Sequence, residues 1–186
     1  MLDRALVAHG APTLARMKVG SLFNVACPDR EALWTEMREI APVLHEKGVH
    51  LTLLRLEAGR ALLYLYRRQE LQAALESPEI RSFMAQYGYS DARPEAAIAR
   101  LRSRIRQSGT FPHEIGVFLG YPLCDIRGFI CNEGRNCLCC GCWKVYANPD
   151  QAQRLFDRYR KCTEAYVRLF AAGCPLSRLT VRARTA

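Results

Sequence analysis

The stretch VHLTLLRLEAGRALLYLYR, residues 49–67, decides the predicted fold. It holds two strand-like runs, residues 49–56 and 61–67, and the short segment between them contains Gly59. This separation and the glycine predict an antiparallel β-hairpin. Because residues 61–66 are apolar on both faces, we expect that strand to lie in the middle of a sheet.

Helical patterns lie on both sides of the hairpin. After Asp29, apolar residues recur at the spacing of one helical face until Gly48 ends the pattern. An N-terminal helix over residues 2–9 should stop at Gly10 and Pro12, because both residues break helices. The remaining predicted elements are strands over residues 21–26 and 142–147 and helices over residues 69–76, 78–88, 94–107, 122–131 and 149–171.

The last of these helices should end before Gly173. Its predicted buried stripe consists of Leu155, Tyr159, Cys162, Tyr166 and Leu169. Together the elements predict an α+β fold, a single compact domain over residues 1–186. We expect a small mixed or antiparallel sheet with the hairpin at about residues 49–67, flanked by helices.

The composition is that of a globular protein. Of the residues, 49% are hydrophobic and 24% are charged, which excludes a disordered chain. The longest apolar run, residues 115–124, falls short of the roughly twenty residues that a membrane helix needs. The N-terminus lacks the apolar core of a signal peptide, so we expect a cytoplasmic protein without a membrane partner. The nine cysteines should then be reduced and not form a disulfide framework.

The net charge of +9 has two interpretations. A basic surface attracts nucleic acid or another polyanion. The alternative is a solvated surface, which we favour because a spacing of two scatters arginines around a helix axis and no nucleic-acid module accompanies them. The arginines concerned are Arg93, Arg100, Arg102, Arg104 and Arg106, with Arg178, Arg182 and Arg184 near the C-terminus.

The segment CLCCGC, residues 137–142, is the most explicit chemical motif. It contains two overlapping C-x-x-C pairs, and the pair followed by Gly141 has the form of a metal knuckle. Cysteine thiolates in that geometry suit zinc or an iron–sulfur cluster. Two cysteines seven residues apart on the helix predicted over 122–131 are candidates for the remaining positions. The predicted metal ligands are therefore Cys124, Cys131, Cys137, Cys139, Cys140 and Cys142.

Two other interpretations of these cysteines stay open. Cys139 and Cys142 resemble a redox dithiol, and the positive charges of Arg135 and Lys144 would lower a thiol pKa. Alternatively the cysteines are small hydrophobic residues packed around a strand, as we expect for Cys162 on its helical stripe.

The pair His113 and Glu114 is the second candidate site. The two residues could supply a general base and its partner, or a metal ligand. Position 117 is valine, so the pair does not belong to a zincin helix. The structural alternative is a turn in which Glu114 stabilises a helix N-terminus and His113 bonds to the backbone.

Several blocks of this sequence together resemble a bacterial family, the domain of unknown function 3793. They are FPHEIG at residues 111–116, FLGYP at 118–122, GFI at 128–130, GCWKVY at 141–146, APTL at 11–14 and Lys18. The resemblance implies a full-length single domain and an intracellular setting in an anaerobic bacterium, and it implies no activity. It also implies that the HEIG and WKVY blocks are more regular in the family than the clustered cysteines.

The resemblance therefore favours a pocket built from the HEIG and WKVY blocks. On a strand, Lys144 and Tyr146 point to one face and Trp143 and Val145 to the other, so the first two could meet an anionic ligand together. Alternatively, Trp143 lies in the core and Lys144 is solvated. The pocket residues would be His113, Glu114, Tyr121, Trp143, Lys144 and Tyr146.

Three functional hypotheses follow. The leading one is a cytoplasmic metal- or cofactor-binding protein with a role in metal or redox handling. The first alternative is an enzyme in which His113 and Glu114 perform acid–base chemistry on a small anionic substrate held by Lys18, Arg135 or Lys144. The second is a non-catalytic interaction or regulatory protein whose basic surface binds a polyanion.

Overall fold

The hairpin of residues 49–67 forms most of the main sheet. In the computed structural model, which describes residues 1–107 and 111–182, the strands β1 (Gly20–Ala26), β2 (Val49–Glu57) and β3 (Arg60–Arg67) pair in the order β1-β3-β2. Both pairings are antiparallel, and Leu54 forms a bulge in β2. Ala58 and Gly59 make the turn with φ angles of 47° and 69°, the left-handed values that a two-residue hairpin turn requires.

The central position of β3 is confirmed. Every residue of this strand after Arg60 is buried, because β1 and β2 cover its two edges and both of its faces are packed. The α+β prediction is confirmed as well, since this antiparallel sheet occurs together with helices along the whole described chain.

The helices of the described chain follow the predicted positions, with one extension and with two short helices added, over residues 115–118 and 176–179. Asp29 caps the second of them by accepting hydrogen bonds from the backbone N–H of Glu31 at 2.8 Å and of Ala32 at 3.3 Å. The helices are α1 (Leu2–Leu14), α2 (Arg30–His45), α3 (Arg68–Glu76), α4 (Pro78–Ala85), α5 (Pro94–Gln107), α6 (Ile115–Phe118), α7 (Leu123–Cys131), α8 (Pro149–Ala171) and α9 (Leu176–Leu179). Two short strands, β4 (Cys139–Cys140) and β5 (Lys144–Val145), form a second sheet.

The predicted end of α1 was wrong. The helix continues through Gly10 and Pro12 to Leu14, and its last five residues are all buried. A Cβ atom at position 10 would lie 2.5 Å from Cδ2 of Leu65, so the glycine lets the helix approach the sheet closely. Packing of this last turn therefore outweighs the low helix propensity of the two residues.

The predicted stripe of α8 was partly wrong. The buried residues are Ala152, Phe156 and Tyr159, whereas Leu169 is 49% exposed. At 100° per residue, Leu169 lies roughly 100° around the helix axis from that buried face.

Contacts along the chain divide it into two compact units. The first unit comprises Met1–Leu71 and the chain from Cys162 onward, and the second comprises Gln72–Lys161. The prediction of one domain over residues 1–186 stays a prediction. Arg184, in the basic C-terminal stretch, lies outside the described residues.

The first unit has its core on one face of the main sheet. Leu6, Leu14, Leu44, Leu63 and Leu65 are fully buried there, and α9 adds two more leucines. No helix in residues 1–107 or 111–182 is both long enough and apolar enough to cross a membrane.

A buried arginine lies beside this core. Nε of Arg67 donates to the carbonyl oxygen of Thr13 at 2.6 Å, and Nη2 donates to those of Leu14 at 2.6 Å and Val181 at 2.8 Å. The guanidinium thus satisfies carbonyl groups at the C-terminus of α1 that have no partner within the helix. Burial lowers the pKa of Arg67.

Candidate functional site

The cysteine-rich segment of the second unit folds as a small β-hairpin. Cys139 pairs with Val145 and Cys140 with Lys144, and the N–H of Gly141 donates to the carbonyl of Trp143 at 3.1 Å. The strand predicted over residues 142–147 is therefore too long. Residues 142 and 143 belong to the tight turn, which leaves Lys144–Val145 as the strand.

A cavity of about 420 Å³ lies between this hairpin and the segment that contains α6 and α7. Most of its lining is apolar or aromatic, and imidazole, phenol, carboxylate, thiol and ammonium groups also contribute to it. The lining residues are Phe111, Pro112, His113, Ile115, Gly116, Tyr121, Asp125, Ile126, Phe129, Cys140, Gly141, Trp143 and Lys144.

Asp125 holds the hairpin in place. Its side chain is 2% exposed. Oδ2 accepts a hydrogen bond from the indole N–H of Trp143 at 2.7 Å. Oδ1 accepts the backbone N–H groups of Tyr146 at 2.8 Å and Ala147 at 2.9 Å. One carboxylate at the start of α7 thus fixes both the tryptophan ring and the backbone that follows β5, and these three donors stabilise its charge.

Trp143 forms an aromatic wall of the cavity with Tyr121. The two rings stack with centroids 4.8 Å apart and an angle of 28° between their planes. Phe156 packs edge-on against the indole at 4.6 Å, and the hydroxyl of Tyr121 donates to the carbonyl of Cys142 at 3.1 Å. Burial raises the pKa of Tyr121 to about 12, so this phenol is neutral at physiological pH.

The ring of Phe129 brings the two predicted polar residues together. The imidazole of His113 lies 5.0 Å from it, centroid to centroid. Nζ of Lys144 lies 5.9 Å from the same centroid and donates to the carbonyl of Gly134 at 2.7 Å. An imidazole and an ammonium group therefore lie at one aromatic ring of the cavity.

Glu114 has a different environment from His113. Its side chain is fully buried, and Oε1 accepts hydrogen bonds from Arg104 and, at 3.2 Å, from the hydroxyl of Tyr89. Glu114 is not a lining residue of the cavity, and no hydrogen bond within the described chain joins it to His113. The Arg104 charge holds this carboxylate in a structural ion pair; the acid–base role predicted for the two residues stays a prediction.

The cysteines of the predicted metal site are spread over α7 and the hairpin. Cys139 and Cys140 are successive residues of a strand, so their side chains point to opposite faces. In residues 1–107 and 111–182, no three His, Cys, Asp or Glu side chains are grouped so that they could hold a metal ion. Of the six predicted ligands, Cys124, Cys131, Cys140 and Cys142 are exposed, and Cys137 and Cys139 are half-buried.

Three predicted ligand-binding residues do not line the cavity. The side chain of Tyr146 packs on Gly128, where a Cβ atom would lie 2.5 Å from it. Arg135 is exposed and forms an ion pair with Glu133 at 3.1 Å. Lys18 belongs to the first unit, between α1 and β1.

Sequence reasoning missed Asp125 and Phe129. Asp125 stands in the first turn of a helix that begins after Pro122, where an acidic residue is ordinary because it complements the helix dipole. Phe129 is part of the GFI block, so the family resemblance pointed to its segment without giving it a role.

The comparisons with known proteins give one match. The model of a family described as "Protein of unknown function (DUF3793)" matches residues 6–180. This match confirms the resemblance that the sequence blocks indicated. No curated protein and no solved structure matches the chain.

Proposed function

Because the chain belongs to the DUF3793 family, whose description names no activity, we propose from the cavity that its second unit binds a small organic molecule with an aromatic ring. The lining carries the proposal: four aromatic side chains and the imidazole of His113 surround a space of about 420 Å³. Small-molecule sites are typically concave and mostly apolar, with a few polar groups that orient the ligand.

The aromatic wall is organised before any ligand arrives. Asp125 fixes the indole of Trp143 through its N–H, and Tyr121 and Phe156 pack against the indole ring. A wall that is already ordered loses little side-chain entropy on binding, which favours affinity. Stacking on such rings tolerates many aromatic ligands, so the wall selects for a flat ring more than for one compound.

We limit the proposal to an organic ligand because aromatic rings make up more of the lining than thiols or carboxylates do. Zinc or iron–sulfur binding by the cysteines stays a separate prediction. Elemental analysis and an absorbance spectrum of anaerobically purified protein test it directly.

Ligand binding can be tested with a library of aromatic fragments. In a Trp34→Phe background, Trp143 is the remaining tryptophan, and its fluorescence reports on the cavity wall. We expect fragments that quench Trp143 also to shift the amide resonances of lining residues such as Ile115 and Phe129.

Two matched variants locate the binding. Cys140→Phe places a ring at an exposed lining position and should weaken binding at least about tenfold. Cys124→Phe makes the same change at an exposed position of α7 outside the lining, and should leave the affinity unchanged. The proposal is wrong if no fragment perturbs the lining residues, or if both variants bind like the parent protein.

A further inference from the structure

We infer that the ligand of this cavity is an aromatic acid, whose ring stacks on the aromatic wall and whose carboxylate binds Lys144, with His113 as a second donor. The inference rests on the proposed function and adds the charge of the ligand to it. It depends on how charge is distributed over the lining.

Lys144 is the cation of the lining. An ammonium group has three N–H donors, and the described residues provide one acceptor for them, the carbonyl oxygen of Gly134 at 2.7 Å. The remaining donors can bind a ligand oxygen. Nζ also lies over the Phe129 ring, 5.9 Å from its centroid, so a cation–π contact adds to the hydrogen bond that places the ammonium there.

The lining carboxylate is already occupied by donors of the protein itself. Asp125 is buried, and its oxygens accept three hydrogen bonds from Trp143, Tyr146 and Ala147. These donors stabilise its negative charge and occupy three of its roughly four hydrogen-bonding directions, which leaves little capacity to bind a cationic ligand.

Two nearby glutamates are neutralised by ion pairs with arginines. Glu114 is paired with Arg104 in the interior. Glu133, which precedes the Gly134 carbonyl, forms its ion pair with Arg135 at the surface. The hydroxyl of Tyr121 donates its proton to the carbonyl of Cys142. The other polar groups that the cavity offers to a ligand are the ammonium of Lys144, the imidazole of His113 and the thiol of Cys140, and of these the ammonium carries the charge that favours an anion.

The aromatic wall and the polar residues that would bind the ring and the carboxylate of the ligand lie at different places in the cavity. Trp143 and Tyr121 form the stacked wall, whereas His113 and Lys144 lie at the Phe129 ring. We expect a ligand that has a ring and a short acidic side chain to contact both. We therefore expect the carboxylate to contribute through a charge-assisted hydrogen bond.

Three probes that share an indole ring and have similar sizes test the role of the ligand's charge: indole-3-acetate, the neutral indole-3-acetamide and the cationic tryptamine. Isothermal titration at low salt should show the acid binding about tenfold more tightly than the amide, and tryptamine more weakly than both. Added NaCl should weaken the binding of the acid and leave the affinity of the amide unchanged, because only the acid binds through its charge.

Variants then assign the effect to a residue. Lys144→Met should remove the preference for the acid over the amide, and far-ultraviolet circular dichroism checks that the variant is folded. Lys144→Arg should keep most of the preference. Lys161→Met, the same change at an exposed lysine outside the lining, should change neither.

The outcomes separate this inference from the proposed function. If the amide binds in the cavity and the acid binds no better, or if the preference survives in Lys144→Met, the ligand is not an acid held by Lys144 and the aromatic site stands. If no probe binds and no library fragment perturbs the lining, the proposed function fails as well.

Discussion

We expect the substitution Asp125→Asn to destabilise the second unit strongly, although it replaces only one oxygen of the side chain by an NH₂ group. The carboxylate accepts the indole N–H of Trp143 on one oxygen and the backbone N–H groups of Tyr146 and Ala147 on the other. Asparagine has a single side-chain oxygen. If that oxygen faces the two backbone donors, the NH₂ group faces the indole N–H, and two donors then meet in a buried space.

The expected loss in the free energy of unfolding follows from these three hydrogen bonds. A buried hydrogen bond to a charged acceptor contributes about 1.5–3 kcal/mol, and an unpaired buried donor costs about 1–3 kcal/mol. Part of this is offset because the neutral amide is easier to bury than the carboxylate. We therefore expect the free energy of unfolding to fall by about 3 kcal/mol, a shift of roughly 1 to 2 M in the urea midpoint.

A double-mutant cycle with Trp143→Phe isolates the contact. Phenylalanine removes the indole N–H, so the amide introduced at position 125 no longer meets a donor. In that background Asp125→Asn should cost about 1 kcal/mol, which gives a coupling of about 2 kcal/mol between the two positions. Urea unfolding of the four proteins, followed by far-ultraviolet circular dichroism, measures it.

Two results would contradict this expectation. One is a free energy of unfolding of Asp125→Asn that lies within about 0.5 kcal/mol of the parental value, and the other is an equal effect of Asp125→Asn in the parental and Trp143→Phe proteins. Either result would mean that the carboxylate does not hold the tryptophan.

Three further predictions concern packing, a buried charge and pH. Gly141→Ala should destabilise the protein by about 1–3 kcal/mol, since the new Cβ would overlap the Phe156 ring; urea midpoints measure it. Arg67→Met should cost roughly 3 kcal/mol because it removes a buried donor from three carbonyl groups, of which those of Thr13 and Leu14 keep a backbone N–H donor; Arg60→Met, at the exposed start of the same strand, is the control. Above pH 10 stability should fall, because the folded protein keeps the Tyr121 proton, with a pKa of about 12, after the unfolded chain has lost its own near pH 10. Urea midpoints between pH 9 and 12 should fall less steeply in Tyr121→Phe.

An alanine at position 141 with parental stability would show that the Phe156 ring moves freely. Equal effects at positions 67 and 60 would remove the special role of the buried guanidinium. A pH dependence that Tyr121→Phe does not alter would mean that this phenol ionises like an exposed one.

The main sheet was predictable because its signals are local. An apolar run, a glycine turn and a second apolar run specify a hairpin, and a strand that is apolar on both faces specifies its central position. The same holds for the start of α2 after Asp29. Where the prediction failed, at the end of α1, the deciding factor was the burial of the last turn against residues distant in sequence, such as Leu65.

The candidate site was predictable only in part. The HEIG and WKVY blocks indicated His113 and Lys144, and both line one cavity. The sequence did not separate Glu114 from His113, because an ion pair with Arg104 across ten residues leaves no periodic pattern. Nor did it reveal Asp125, whose three partners lie 18 to 22 residues away.

The division of the chain into two units has a consequence for the order in which it folds during synthesis. β1, β2 and β3 are complete once residue 67 has been made, but the core of the first unit also needs Leu176 and Leu179, and Arg67 needs the carbonyl of Val181. All of residues 72–161 emerge from the ribosome before those partners do. The second unit is one continuous segment, whereas the core of the first unit stays incomplete until residues 176–181 have been made. During this interval part of the apolar face of the main sheet lacks the leucines that cover it in the complete structure.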